Sequence, residues 1–311
     1  MRKEHLGSKT ADSLQERLAA VCRDVPEVRD AAAVLGALLP LLRDADPGAV
    51  TPAMTAAEAC ACLERGQPLL RGLDLEIDAA AARDLLLGLA RAREGAFPSE
   101  TARRLRTALE RDDPGSDELL AAAAAGDRDT VDAAAGQREL DPDLLWTLVR
   151  AALWPALRAW RRALAPLVEG TPWQRGSCFI CGTPATIGEL RADGARHLRC
   201  LQCGADWRIR RLHCPSCGNE DHATLHMLYE EGRRQTRRVE ACDRCRRYIK
   251  VIAAVTPTPS ELLGVEDLAT SQLDVVARQH GYARCPEAAT PSPRIHRKHS
   301  TTVHHPKEET S

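Results

Sequence analysis

The stretch CFICGTPATIGELRADGARHLRCLQCG (residues 178–204) decides the fold of the carboxy-terminal half. Two Cys-x-x-Cys pairs, Cys178/Cys181 and Cys200/Cys203, bracket eighteen residues. Within them Thr186–Leu190 reads as a strand and Asp193-Gly194 as a hairpin turn. Arg196–Arg199 reads as the antiparallel return. A hairpin brings its ends together, so the two pairs meet. Four soft thiolate donors converging on one point are what a tetrahedral metal site requires.

The pattern recurs downstream. Cys214/Cys217 and Cys242/Cys245 flank ATLHMLY (223–229), EEGRR (230–234) and QTRRVEA (235–241), which read as strand, turn and return. Between the units, GADWRIRRLH (204–213) reads as one alternating strand. Trp207 and Ile209 share one face, Arg208 and Arg210 the other. Sequential pairing gives two independent ribbon-like sites, Cys178, Cys181, Cys200, Cys203 and then Cys214, Cys217, Cys242, Cys245. Interleaved pairing is the alternative, and it leaves both hairpins without a purpose.

One Cys-x-x-Cys pair would equally suit a redox dithiol. Such a dithiol wants a helix start beside a βαβ pattern, which this sequence lacks. Zinc and iron both accept four thiolates, so the ligands do not choose between them. Cysteine fills every position, which leaves no place for an activated water and argues against metal-assisted hydrolysis. Structural zinc and rubredoxin-like iron both remain open. Cys22, Cys60, Cys62 and Cys285 stand outside the pattern, and Cys60 and Cys62 read as small core residues of a helix. His213 precedes Cys214 and could support a ligand, though the pair is complete without it.

The first half has a different texture. Leu14, Leu18, Val21, Cys22 and Val25 recur at steps of three and four, the mark of one buried helix face. Pro40 reads as a kink or break in the next helix. Further helical runs fall near 55–65, 78–94, 99–111 and 117–135, with Ser99 and Ser116 at N-cap positions. The clearest helix starts at DPDLLWTLVRAALWPALRAW (141–160), with Asp141 as cap and Pro142 in its first turn. Trp146, Trp154 and Trp160 read as core.

Charge divides the same way. Residues 1–170 hold 22 Lys and Arg against 28 Asp and Glu, a net of −6; residues 171–311 hold 21 against 16, a net of +5. Two divalent ions in thiolate cages would add −4 to the second half. Arginines at 208, 210, 211, 233, 234, 237, 238, 244, 246 and 247 are then read mainly as balancing or solvated charge, and secondarily as a partner surface. With a pI near 6.8 the chain does not read as a nucleic-acid coat protein. Neither a signal peptide nor a spanning helix is visible, and paired cysteines without an export signal point to the cytoplasm.

The expected organisation follows: a disordered start (1–12), a helical domain (13–168), a linker (169–177), metal modules at 178–212 and 213–258, a short carboxy-terminal helix (259–284) and a disordered His-rich tail (285–311). The fold class is α+β multidomain, an all-helical amino-terminal domain followed by two small rubredoxin-like or zinc-ribbon β modules.

The order of motifs resembles the formate dehydrogenase accessory protein FdhE family. The likeness rests on Trp173–Pro184, LRCLQC (198–203), WRIRRLHCPSC (207–217), EACDRCRRYIK (240–250), EDLAT (266–270) and GYAR (281–284). It implies a non-enzymatic cytoplasmic maturation factor that contacts the molybdenum-containing catalytic subunit of formate dehydrogenase. It also implies that the eight paired cysteines hold two metal ions, with iron favoured and zinc the alternative. Membrane and nucleic acid are not expected as partners, and self-association stays open. The alternatives are a zinc-ribbon nucleic-acid binder and a rubredoxin-like electron-transfer protein.

Overall fold

The computed structural model describes residues 4–48, 50–71, 73–112, 115–230, 232, 235–285 and 294–297; for 4–13, 74–77 and 294–297 only the backbone is considered. Helical periodicity closes the first half around a leucine-rich core. Its helices are α1 (Glu4–Asp24), α2 (Arg29–Asp44), α3 (Ala56–Glu64), α4 (Ala79–Ala96), α5 (Glu100–Glu110), α6 (Ser116–Ala125), α7 (Arg128–Gln137), α8 (Pro142–Ala152) and α9 (Trp154–Leu164). Side chains of Thr55, Asp78, Ser99, Asp127 and Asp141 accept from backbone N–H groups in the first turns of α3, α4, α5, α7 and α8. Each satisfies a donor that the helix itself leaves orphaned.

Several local expectations change. Helix α1 begins at Glu4, inside the stretch 1–12 expected to fray. Pro40 lies within an uninterrupted α2, where buried Leu38, Leu39 and Leu42 hold both sides of it in the core. The run 117–135 is two helices, parted at Gly126, whose φ of 68° ends the first. Ser116 is the first residue of α6 rather than its cap, and its N–H donates to Asp112 Oδ1 at 2.9 Å. The helix from Asp141 stops at Ala152 and restarts at Trp154, because Pro155 cannot donate to the preceding turn. Trp146, Trp154 and Trp160 are buried as expected.

The helical half is also not purely helical. Strand β1 (Asp74–Ile77) lies between α3 and α4 and pairs in parallel with β9 (Arg294–Arg297). That strand falls within 285–311, expected to be disordered. An open strand edge offers backbone donors and acceptors that another extended segment can satisfy. Residues 286–293 and 298–311 lie outside the described residues.

In the second half the remaining strands are β2 (Ile187–Arg191), β3 (Arg196–Arg199), β4 (Asp206–Ile209), β5 (Leu225–Leu228), β6 (Arg237–Cys242), β7 (Arg247–Ala254) and β8 (Ala283–Arg284). Both expected hairpins form: β2 with β3, and β5 with β6. The turn after β2 closes with Gly194 N–H to Arg191 O at 2.9 Å. Trp207 and Ile209 of β4 are buried and Arg208 is exposed, as the alternation predicts.

The two modules are not independent units. Strand β7, unassigned in the sequence reading, pairs with β6 and runs parallel to β2 from Ile187↔Lys250 to Arg191↔Ala254. The result is one sheet in the order β4-β3-β2-β7-β6-β5, with β8 beside β7. Charged side chains are buried where the hairpins join. Glu189, fully buried, bonds Arg199, and Arg196 reaches Glu240 of the second hairpin at 2.8 Å.

The single helix expected at 259–284 is two, α10 (Leu263–Ala269) and α11 (Ser271–Gln279). They part at Thr270, whose hydroxyl donates to the carbonyls of Glu266 and Asp267. Lys250 of β7, also fully buried, reaches Asp267 at 2.7 Å and Asp274 at 2.9 Å, fastening these helices to the sheet.

Candidate metal centres

All four Cys-x-x-Cys segments build the same turn. The N–H groups of Gly182, Gly204, Gly218 and Arg246 donate to the carbonyls of Cys178, Cys200, Cys214 and Cys242 at 2.8–2.9 Å. The donors have φ of 79°, 76°, 74° and 57°. Glycine adopts this left-handed conformation freely; Arg246 does so against the steric preference of an L residue. In the first turn the Ile180 N–H also points at Cys178 Sγ, and in the second the Cys203 N–H points at Cys200 Sγ. Such donors favour a thiolate over a thiol.

The hairpins bring the turns together in the sequential order. Cys178 and Cys203 have Sγ atoms 3.5 Å apart, as do Cys181 and Cys200. In the second group, Cys214 lies 3.7 Å from Cys245, and Cys217 3.7 Å from Cys242. Within each group all four sulfurs lie within 4.8 Å of one another. A sulfur tetrahedron with metal–sulfur bonds of about 2.3 Å has edges of about 3.8 Å, whereas a disulfide spans about 2.05 Å. The donor sets therefore fit a tetrahedral metal ion and not a pair of disulfides. Cys22, Cys60, Cys62 and Cys285 join neither group. Cys60 instead contacts Thr171 Oγ1 at 3.2 Å, and His213 stays outside the sulfur set.

The two groups differ in their surroundings. Residues of the first half of the chain grip both turns of the first. Leu69 and Leu70, between α3 and β1, donate N–H bonds to the carbonyls of Phe179 and Ile180. Trp154 Nε1 donates to Leu201 O, and Gln202 Nε2 donates to Arg150 O, each at 2.9 Å. Cys178, Cys200 and Cys203 are buried. In the second group Cys217 is exposed and Cys245 half-buried, with no such cover among the described residues on that side. A cavity of about 560 Å³ opens beside it, lined in part by Leu212, Met227, Cys214 and Cys242. Leu212, Met227 and Tyr229 are exposed apolar side chains on this module.

Proton affinities are split within each group alike. Burial pushes the Cys178 and Cys203 thiols well up, and hydrogen bonds from Cys178, Cys200 and Cys203 hold Cys181 well below the ordinary range. Burial also raises Cys245, to about 11. At Cys242 burial is outweighed by the Cys245 N–H and the Asn219 amide, among other donors, which bring it down to about 7. Asn219 Nδ2 lies 3.4 Å from that sulfur.

Few of the arginines noted in the sequence are free. Arg210, Arg238 and Arg246 pair with Glu220, Glu240 and Asp243. Arg237 and Arg247 donate to the carbonyls of Ala269 and Arg284. Arg233 and Arg234 lie outside the described residues. The arginines that feel the clusters electrostatically are others, Arg161 toward Cys203 and Arg196 toward Cys214. Arg161 lies on a helix far from the cysteines in sequence, and no local pattern marks it.

Comparison with known proteins bears on the same region. A family model described as "FdhE, C-terminal domain" matches residues 212–289. A "Protein FdhE homolog" from Shewanella baltica is 30% identical over 138 residues, 42% of this chain and 45% of that protein. "Protein FdhE" from Escherichia coli O127:H6 is 29% identical over 140 residues, 42% of this chain and 44% of that one. The matched segment thus spans less than half of these relatives. The crystal structure of the FdhE protein from Pseudomonas aeruginosa superposes with a TM-score of 0.59 at 24% identity. That match covers 90% of this chain and 94% of the other, and it speaks to the fold.

Proposed function

We propose that this chain, which belongs to the FdhE family, is an accessory factor in formate dehydrogenase maturation and acts by binding rather than by catalysis. One observation carries the reading: each cluster is closed by four cysteines, and only the second faces solvent beside apolar side chains. Cys178, Cys181, Cys200 and Cys203 would hold one ion, and Cys214, Cys217, Cys242 and Cys245 the other. Bound iron would supply a one-electron couple, and bound zinc a cross-link only. The first cluster, gripped by residues of the first half, ties the two halves of the chain together. The second module presents Leu212, Met227 and Tyr229 to a partner, which we identify as the catalytic subunit of formate dehydrogenase in the cytoplasm. Among the described residues no helix is long and apolar enough to cross a membrane.

The test is co-purification. Tagged protein should recover the formate dehydrogenase catalytic subunit, and Leu212→Asp with Met227→Asp should lose it while both metals stay bound. Failure of the folded, metal-loaded protein to recover that subunit removes the docking role. The exposed Cys217 favours a second reading, electron transfer through an iron-loaded second site. Its check is optical: ferric tetrathiolate protein is red and changes colour on reduction, whereas zinc protein is colourless.

A further inference from the structure

A second, larger cleft, of about 1030 Å³, lies between the end of the helical half and the β4 edge of the sheet. One wall is α9, which supplies Arg161 and Arg162. The other is β4 and the residues after it, which supply Arg208 and Arg211. These four have no carboxylate partner among the described residues. Arg162, Arg208 and Arg211 are exposed, and Arg161 has a buried Nε without a hydrogen bond.

Two carboxylates line the cleft, and neither answers this charge. Asp206 is held by Arg191 at 2.7 Å and His197 at 2.6 Å, and Glu169 is exposed. The other lining arginines, Arg196 and Arg210, already pair with Glu240 and Glu220. Like charges facing each other across a cleft repel, and burial disfavours the charged form of Arg161; Cys203 offsets part of this, while Arg158, Arg162 and Arg199 add to it. An anion between the walls would relieve both. The remaining lining mixes the backbone-flanking Thr171 and Gln174 with apolar groups, among them the largely buried rings of Trp173, Phe179 and Trp207, which show only their edges to the cleft.

We propose that this cleft binds a nucleotide-sized anion, its adjacent phosphates between the two arginine walls and its planar base on the apolar floor. Guanidinium forks match phosphate oxygens in geometry as well as charge. The cations are grouped, two adjacent on α9 and two within four residues on the other wall, which suits neighbouring phosphates better than carboxylates strung along a peptide. The volume is that of a small-molecule site.

The experiment is calorimetric titration of the full-length, metal-loaded protein with ADP and ATP. Saturable binding is expected, weakening as salt rises. Arg162→Glu and Arg208→Glu, one on each wall and both at exposed positions, should each weaken it by about tenfold or more. Arg103→Glu, an equal change of charge on α5, should leave it within about twofold. Pyrophosphate should compete, but more weakly than ADP. Absence of ADP and ATP binding by protein with a cooperative melt and two metals overturns the proposal. So does pyrophosphate binding as tightly as ADP, an equal loss in the Arg103→Glu control, or polyglutamate displacing the nucleotide at lower concentration.

Discussion

The Arg246 guanidinium carbon lies 4.2 Å from the centre of the Tyr282 ring. The same guanidinium donates to Asp243 Oδ1 and to His280 O, both at 2.8 Å, while Tyr282 donates its hydroxyl proton to Asp243. The one cysteine turn without a glycine therefore uses its arginine to fasten the segment after α11 onto the second cysteine module. The contact offsets a left-handed backbone, φ 57°, that costs an L residue about 1 kcal/mol or more. Two variants separate these effects. Arg246→Ala keeps the backbone cost and loses the clamp, and should lower stability by about 1–2 kcal/mol. Arg246→Gly loses the clamp but relieves the backbone, and should lose roughly half as much. Equal losses in urea melts of the two would refute the argument.

Gly176 packs against the third cysteine turn. A Cβ there would lie 2.1 Å from the carbonyl oxygen of Pro215, which sits between Cys214 and Cys217. Because the obstacle is backbone, it cannot rotate away. Gly176→Ala should cost about 2 kcal/mol and lower metal occupancy at the second site before the first. Gly136→Ala is the control, since open space surrounds that position inside α7. It should be neutral or stabilising by about 0.5–1 kcal/mol. Thermal melts with metal analysis check both, and an undisturbed second site in Gly176→Ala would show that the linker does not brace it.

What could be read in advance was local. The pairing of Cys178/Cys181 with Cys200/Cys203 follows from one hairpin whose turn, Asp193-Gly194, is written into eighteen intervening residues. The parallel pairing of Ile187 with Lys250 joins residues 63 apart, with no turn or spacing to announce it. The grip of Leu69 and Leu70 on Phe179 and Ile180 is likewise backbone-to-backbone, so no side-chain pattern encodes it. These non-local contacts convert two expected modules into one sheet, and distinguish the covered cysteine cluster from the exposed one.

The buried Lys250 network gives the protein an acid-sensitive seam. Burial raises the Asp274 carboxyl, but Arg284, Lys250 and Tyr248 outweigh it and hold the group below its ordinary value. A carboxyl depressed in the folded state stabilises fully above the unfolded value of about 3.9, and that stability is lost as pH falls through the folded value. Asp274→Asn should therefore flatten the acid limb of the stability curve. It should also cost about 3 kcal/mol at neutral pH, since it leaves Lys250 with only Asp267 as a charged partner in the core. Metal loss in acid affects both proteins alike, so the difference between their melts below about pH 5 isolates the carboxylate. Parallel pH profiles would remove Asp274 from the seam.

The unequal cover of the two clusters predicts that the metals leave in order. Cys217 is exposed and Cys245 half-buried, whereas three of the four cysteines of the first cluster are buried beneath hydrogen-bonded contacts from α8, α9 and the loop after α3. A chelator must reach a ligand or wait for the site to open, and opening the first site means breaking those contacts as well. Treatment with a soluble chelator should therefore take the protein from two metals to a plateau near one, then to none only as the chain unfolds. Cys217→Ser should start at one metal with its fold largely kept, because the shared sheet still holds the second module to the first. Cys200→Ser should lose the packing between helices and sheet along with its metal. Native mass spectrometry with circular dichroism checks each step, and simultaneous loss of both ions would mean that the clusters form one cooperative unit.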